Sequence, residues 1–461
     1  MNPQKNPLAC RPVFGLIVKY SIPAILRMLV TTIYNITDQI FIGNIVGYLG
    51  NAATGVVFPV STLALALAQL CGIGTAANFN MNMGAGEEEK ARGFFHCGIT
   101  LTVVTGLAVA VLVRIFIVPI IHICGSTESI YPYAYEYLSI TSVGIFFMVV
   151  ALSGAFIIRA DGRPTFSMIP NVVGAVLNIG LDALFMYVFK WGLAGAAWAT
   201  VTGQVVSGII CFVYYAGFTR TFKLEIRRLN LKAQYVRRII KIGLPNCINQ
   251  AIMMLANVVQ NNVLNIYGAL SVYGSDIPLA VNGVIAKVNS IVASFCVGIS
   301  MGCQPIWSFN LGARNIKRVR ETFIKASFLS LGVGVIFFIA FQFFPRQIAG
   351  IFGSGSELYF QFAEKYMRIY LMLVILYTFQ PMANNFFTGT GNVKQAILLS
   401  VCMRGVFLIP FLFILPEFMG IDGVLYSGAV SDFLSTLLAL ILIIAKFRAL
   451  NEQNPEKLNP I

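Results

Sequence analysis

Apolar runs long enough to cross the roughly 30 Å hydrocarbon core of a bilayer follow one another along nearly the whole of this chain. Counting them predicts twelve membrane helices, near 13–43, 53–83, 93–120, 131–159, 164–189, 192–218, 238–268, 279–309, 322–345, 360–388, 394–416 and 420–447. Hydrocarbon offers no water to backbone N–H and C=O groups. A spanning segment must therefore satisfy its own backbone, and runs of this length do so as helices. The composition agrees, with 57% hydrophobic and 11% charged residues where soluble domains carry about a quarter charged. The fold class expected is an all-α integral membrane protein.

The charge that remains is strongly basic, a formal +14, and its placement decides its meaning. Lysines and arginines collect in short loops on one side. They are Lys5, Arg11 and Lys19, then Lys90 and Arg92, Arg159 and Arg163, and a central run from Arg220 to Lys241. Arg314, Lys317, Arg318, Arg320 and Lys325 continue the series, with Lys394, Lys446, Arg448 and Lys457 after them. The opposite loops hold little beyond Lys190, Arg346, Lys365 and Arg368. By the positive-inside rule both termini lie in the cytoplasm, and the basic loops meet anionic headgroups rather than nucleic acid. Nine cysteines are scattered with no metal-ligand spacing, as small apolar packing residues would be. The polar start and long first apolar run do not resemble a cleavable signal peptide.

The chain also repeats itself. IPAILRMLV around Pro23 answers to LPNCINQAI around Pro245, 222 residues on. NMGAGEEEKARGFF from Asn82 answers to NLGARNIKRVRETF from Asn310, 228 residues on, as GLAGAAW from Gly192 does to GIDGVLY from Gly420. Two six-helix lobes are therefore expected, 1–218 and 238–447, joined by a basic cytoplasmic linker at 219–237 and followed by a tail at 448–461. Parallel repeats of this kind are a transporter layout, with substrate handled between halves that move about an axis along the membrane normal.

Ionisable and amide side chains inside the apolar runs are the functional candidates, because each is costly in hydrocarbon. The first helix carries Arg27, Thr31, Asn35 and Asp38 on one face, and the fifth carries Asn171, Asn178 and Asp182. Both acids belong to the first half. Two buried carboxylates near each other cannot both ionise cheaply; a proton, a sodium ion or an organic cation relieves the cost. The seventh helix instead presents uncharged amides, Asn246, Gln250, Asn257, Gln260 and Asn261, which suit a substrate cavity wall or interhelical contacts. Arg404 and Lys287 are embedded cations that pair with acids or snorkel, Asp432 is either a second coupling group or a cytoplasm-facing polar residue, and His96 and His122 near helix ends read as interfacial residues. The stretch GAGEEEKAR lacks phosphate-loop spacing.

Three stretches together resemble the multidrug and toxic compound extrusion (MATE) family, in its bacterial branch, over essentially the full length. They are YNITDQIFIG with Asp38, RADGRPTFSMIPNVVGAVLNIGLDALF with Asn178 and Asp182, and GCQPIWSFNLGARNIKRVRET with Gln304, Pro305, Asn310, Gly312 and Ala313. The resemblance implies two six-helix lobes and a proton or sodium site in the first. It places Asp38, Tyr137, Asn178, Asp182 and Thr200 in that coupling cluster, and a bend of the first helix at Pro23. Thr31, Asn35, Gln250, Asn257, Gln260 and Asn261 are the expected cavity residues. Two departures stand out. The family branch that couples through acids in the second lobe has them on helices seven and ten, whereas helix seven here shows Gln260, and the usual Asp-Pro after the second acid is Asp182-Ala183.

The function expected is export of small organic cations by antiport with protons or sodium ions, through alternating access. The chain would work as a monomer in the bacterial plasma membrane, without a cofactor or a metal beyond sodium at Asp38 and Asp182. The competing reading within the same superfamily is a lipid-linked saccharide flippase, whose polyanionic cargo calls for more embedded basic residues than Arg27, Lys287 and Arg404. An embedded enzyme would need a nucleophile with its base or a metal constellation. Two histidines outside any ligand spacing give neither.

Overall fold

The computed structural model describes residues 6–352 and 356–452; Lys5, Lys457 and most of the predicted tail lie outside them. The described residues are helical over nearly all of the predicted spans. In chain order these are α1 (Val13–Ile45), α2 (Tyr48–Gly84), α3 (Glu88–Ile115), α4 (Tyr131–Ala160) and α5 (Pro164–Asp182). They continue with α6 (Gly192–Val213), α7 (Ala233–Ala269), α8 (Asp276–Gly312) and α9 (Ile316–Phe343). The helix α10 is composite, α11 begins at Val393 and ends at Met419, and α12 is Ile421–Glu452. Eleven of these helices are long and apolar enough to cross a membrane unbroken.

The exception is α10, predicted as one run over 360–388. It forms three pieces, Glu357–Tyr370, Val374–Tyr377 and Phe379–Gly389, with turns at Leu371–Leu373. Pro381 falls in the first turn of the last piece, where a residue without an N–H takes nothing from the ladder. Local irregularity recurs as π-helix at three places: Ala183–Val188 after α5, Tyr214–Phe218 after α6, and Cys402–Leu408 inside α11. Such turns concentrate where a helix must re-aim side chains for function.

Two compact units emerge. One comprises Met1–Asn6 and Ile22–Gln250, the other Pro7–Ser21 and Ala251–Ile461. The division cuts inside helices, between Ser21 and Ile22 just ahead of Pro23 in α1, and between Gln250 and Ala251 a little beyond Pro245 in α7. The start of α1 thus belongs with the second half of the chain, and the start of α7 with the first. Glycine makes both attachments possible. A Cβ on Gly74 of α2 would sit 2.1 Å from the Ile239 carbonyl oxygen of α7, and one on Gly243 of α7 would sit 2.1 Å from that of Leu70. In the second unit a Cβ on Gly302 of α8 would meet the Ser21 backbone of α1 at 2.7 Å. Gly302 lies 228 residues after Gly74, the repeat offset. Small residues let helix backbones approach this closely in lipid, where packing rather than the hydrophobic effect holds helices together.

The linker is tied to the first unit by polar contacts. Buried Asp161 accepts from the Tyr214 hydroxyl and the Arg220 N–H, both at 2.6 Å, and from the Thr221 N–H at 2.9 Å. Further on, Arg228 pairs with Glu89 at 3.0 Å and Glu225 at 2.7 Å, while the Glu225 N–H donates to His96 Nε2. Exposed ion pairs contribute little each, so the buried Asp161 cluster is the firmer anchor. His96, read from the sequence as an interfacial residue, is buried and serves the linker.

Candidate functional site

The polar residues of the first unit converge. Asp38 on α1 and Asp182 at the end of α5 bring their carboxyl groups within hydrogen-bonding reach of each other. Asp182 is fully buried and Asp38 half-buried. One oxygen of each, Asp38 Oδ1 and Asp182 Oδ1, is buried and accepts no hydrogen bond from the protein. Like charges at this separation repel strongly in a low-dielectric surround, so the pair is stable with a proton or another cation between the two groups.

Asn178 extends the pair toward α6. In the amide orientation that satisfies both ends, Nδ2 donates to Asp182 Oδ2 at 3.2 Å and Oδ1 accepts from the Thr200 N–H at 3.2 Å. Turned the other way, Nδ2 reaches Thr200 Oγ1 at 3.3 Å; the network favours the first. The Tyr137 side chain of α4 lies beside Thr200 and near Asp38. Four helices thus deliver Asp38, Tyr137, Asn178, Asp182 and Thr200 to one place.

A sixth residue belongs with them. Tyr34, one helical turn before Asp38, lies near both acids and Tyr137. The sequence reading passed over it because an aromatic residue in a membrane helix defaults to lipid or core. Its spacing of four from Asp38 was the available signal. The local packing follows from the π-turn after Asp182, which brings Tyr187 edge-on to Phe41 of α1, ring centroids 5.6 Å apart. That contact holds α1 against α5 beside the acids.

The expected cavity residues divide. Thr31, Asn35 and Gln250 lie in the first unit; Asn257, Gln260 and Asn261 lie in the second. Asn35 is exposed, and the Thr31 hydroxyl is bonded back to the Arg27 carbonyl at 2.8 Å. The α7 amides separate further. Asn257 and Asn261 are exposed, but Gln260 is only 5% exposed and its amide is committed. Gln260 Nε2 donates to the Tyr366 hydroxyl at 2.8 Å and to Asn282 Oδ1 at 3.2 Å, and the Tyr366 hydroxyl donates to Asn282 Oδ1 at 2.7 Å. Gln260 is therefore a core residue of its unit rather than an open wall position. The physical reason is that a polar group inside a membrane bundle is satisfied by its neighbours. Pro23 lies inside an unbroken helix.

Among the described residues no group of three or more His, Cys, Asp or Glu could hold a metal ion. The donors gathered at Asp38 and Asp182 are two carboxylates, an amide and hydroxyls, hard oxygen chemistry that suits a proton or an alkali cation.

Known proteins share this architecture. The chain is 24% identical over 433 residues to the multidrug export protein MepA of Staphylococcus aureus strain MSSA476, covering 94% of each. Among solved structures it superposes on an outward-facing multidrug resistance MATE transporter of the MOP superfamily with a TM-score of 0.89 and 23% identity, covering 98% of both chains. It superposes equally on a MOP superfamily transporter from Pyrococcus furiosus Vc1, with a TM-score of 0.88 and 23% identity over 96% of this chain and 98% of that one. The MatE family model matches residues 23–184 and 247–414, one stretch in each repeated half. With twelve helical spans in a duplicated chain and a match that opens at Pro23, this protein belongs to the MatE, or multidrug and toxic compound extrusion, family of membrane transporters.

Proposed function

We propose that this transporter is a multidrug efflux antiporter that exports small organic cations in exchange for protons or sodium ions entering the cell. The observation that carries the reading is the Asp38–Asp182 pair, two carboxyl groups in mutual reach inside a membrane unit. Each inward-moving ion contributes about 2.3 kcal/mol per 100 mV of membrane potential, offset equally by each cationic charge exported, and the pair supplies a place where such an ion lowers the energy. Asn178, Thr200, Tyr137 and Tyr34 orient the carboxyl groups and limit how many ions they take. The oxygens of Asp38 and Asp182 that accept nothing from the protein are where a proton or a sodium ion is held.

Cationic cargo follows from the same charge. The first unit presents two embedded acids at its cluster, while its buried arginines Arg27 and Arg159 both lie over the Phe156 ring, at 5.8 and 5.1 Å. A polyanionic lipid-linked headgroup would find little to bind there. The MepA relatives are named as multidrug export proteins, which supports the same choice. Pro23 is the position where α1 would flex between states. Both termini are assigned to the cytoplasm by the basic loops, and the membrane to the bacterial plasma membrane.

The test is transport of a fluorescent organic cation into inverted proteoliposomes, with pH and sodium gradients imposed separately. One of the two gradients should drive accumulation above the level set by membrane potential alone. Equal accumulation with and without both gradients would remove antiport.

A further inference from the structure

The second unit holds its own embedded charges, which the proposed coupling at Asp38 and Asp182 leaves unused. Asp432 of α12 and Arg404 of α11 line one small cavity of about 20 Å³, room for a single water. Tyr370 and Tyr377 of α10 and Asn289 of α8 complete its polar wall. No direct ion pair joins the two charges among the described contacts. Asp432 is held by another route: Gln380 Nε2 donates to its backbone carbonyl at 3.1 Å and to its Oδ1 at 3.3 Å.

Two of the walls are irregular at this level. The turns at Leu371–Leu373 interrupt α10 beside Tyr370, and the π-helix Cys402–Leu408 contains Arg404. Non-helical backbone at membrane depth is tolerated where it is buried in protein or lines a cavity, and it marks ion and substrate paths. The helices involved repeat the pattern of the first unit. There α5 and α6 carry Asp182 and Thr200; here α11 and α12, their counterparts in the repeat, carry Arg404 and Asp432.

We propose that Asp432 is a second proton-loading carboxylate, working in the carboxy-terminal unit with Arg404 as its fixed countercharge. The guanidinium decides which cation can load. A sodium ion would enter a one-water cavity against a positive charge, whereas a proton adds to the carboxylate without needing coordination space. The titratable and charged groups facing Asp432 are Arg404 from α11 and Tyr370 and Tyr377 from α10. With Asp432 charged, the cavity is neutral overall and Gln380 makes a charge-assisted bond. With Asp432 protonated, Arg404 stands uncompensated and the Gln380 tether weakens, which favours movement of the interrupted α10. Loading and movement are thereby coupled.

This inference rests on the proposal of antiport, and the experiment separates the two. Purified full-length protein is placed in proteoliposomes with the membrane potential clamped at zero and a pH difference of one unit. The steady accumulation ratio of a fluorescent cation is read, not the rate. Each proton exchanged per cargo contributes a factor of about ten at one pH unit. Asp432→Asn keeps an oxygen for Gln380 and should lower the ratio about tenfold with cargo affinity retained. Arg404→Gln removes the countercharge, so Asp432 stays protonated throughout, and it should lower the ratio by a similar factor. Asp38→Asn should abolish accumulation altogether, because the amino-terminal exchange drives each turnover and the Asp432 proton travels with it; if it does not, the amino-terminal coupling fails independently. An unchanged ratio in Asp432→Asn overturns the proposal, since a merely structural role alters the rate and leaves the limit in place. Should Asp432→Asn fail to bind cargo, Arg404→Gln decides, and an unchanged ratio there overturns it. Accumulation that responds only to sodium overturns it as well.

Discussion

Asp38→Asn should insert and fold normally yet reduce gradient-driven export to the level of protein-free liposomes. The substitution preserves shape and hydrogen-bonding capacity while removing the one property the account requires, a charge that an ion can neutralise. The carboxyl of Asp38 lies within hydrogen-bonding reach of Asp182, and an amide there can donate to Asp182 permanently. The pair would then behave as if always loaded, with no ion bound on one side of the membrane and released on the other. Asp182→Asn should act similarly, while cargo binding persists in both because the exposed α7 amides are untouched. The check is accumulation of a fluorescent cation in proteoliposomes beside a binding titration on the same preparation. Full export by a well-folded Asp38→Asn protein would remove the residue from the coupling machinery.

Gln260→Leu should behave differently from Asn257→Leu, although both residues belong to one stripe of α7. Gln260 is buried and supplies hydrogen bonds to Tyr366 and Asn282 at 2.8 and 3.2 Å. A leucine of similar size leaves those partners short of a donor inside the bundle, a cost of about 1–3 kcal/mol. The apparent Tm in detergent should drop by several degrees, and the ranking of cargoes should shift as Tyr366 and Tyr370 reorient. Asn257 is exposed, so Asn257→Leu should change the cargo profile without loss of stability. In both variants the imposed gradient should still drive export. Equal failure for every cargo would move the stripe from cargo contact to coupling.

These contrasts show where sequence reasoning reached and where it stopped. The spans were legible because hydrocarbon leaves a chain so few options, and the repeat because Asn82, Gly84 and Arg92 recur as Asn310, Gly312 and Arg320. Asp38 and Asp182 were legible because carboxylates in apolar runs are rare. The interruption of α10 was not, since Leu371, Met372 and Leu373 are good helix formers and only Pro381 hinted at a boundary. Tyr34 was hidden among aromatics, which carry no charge to mark them. Gln260 was read as cavity wall because spacing places a residue on a helix face but does not say which neighbours, here Tyr366 and Asn282, will cover it. The exchange of the first turns of α1 and α7 between units left one trace, the glycines at 74, 243 and 302, whose meaning depends on what packs against them.

Cargo affinity measured in nanodiscs across pH and sodium concentration tests the central claim most directly. If an ion and a cationic cargo draw on the same two carboxyl groups, directly or through conformation, each must weaken the other's binding by the same factor. Affinity for the cargo should fall as pH drops, or as sodium rises, by up to about tenfold per pH unit for one exchanged proton. The same titration on Asp38→Asn should lose the slope that the amino-terminal pair contributes. A wild-type affinity that stays constant under both titrations would contradict exchange at Asp38 and Asp182.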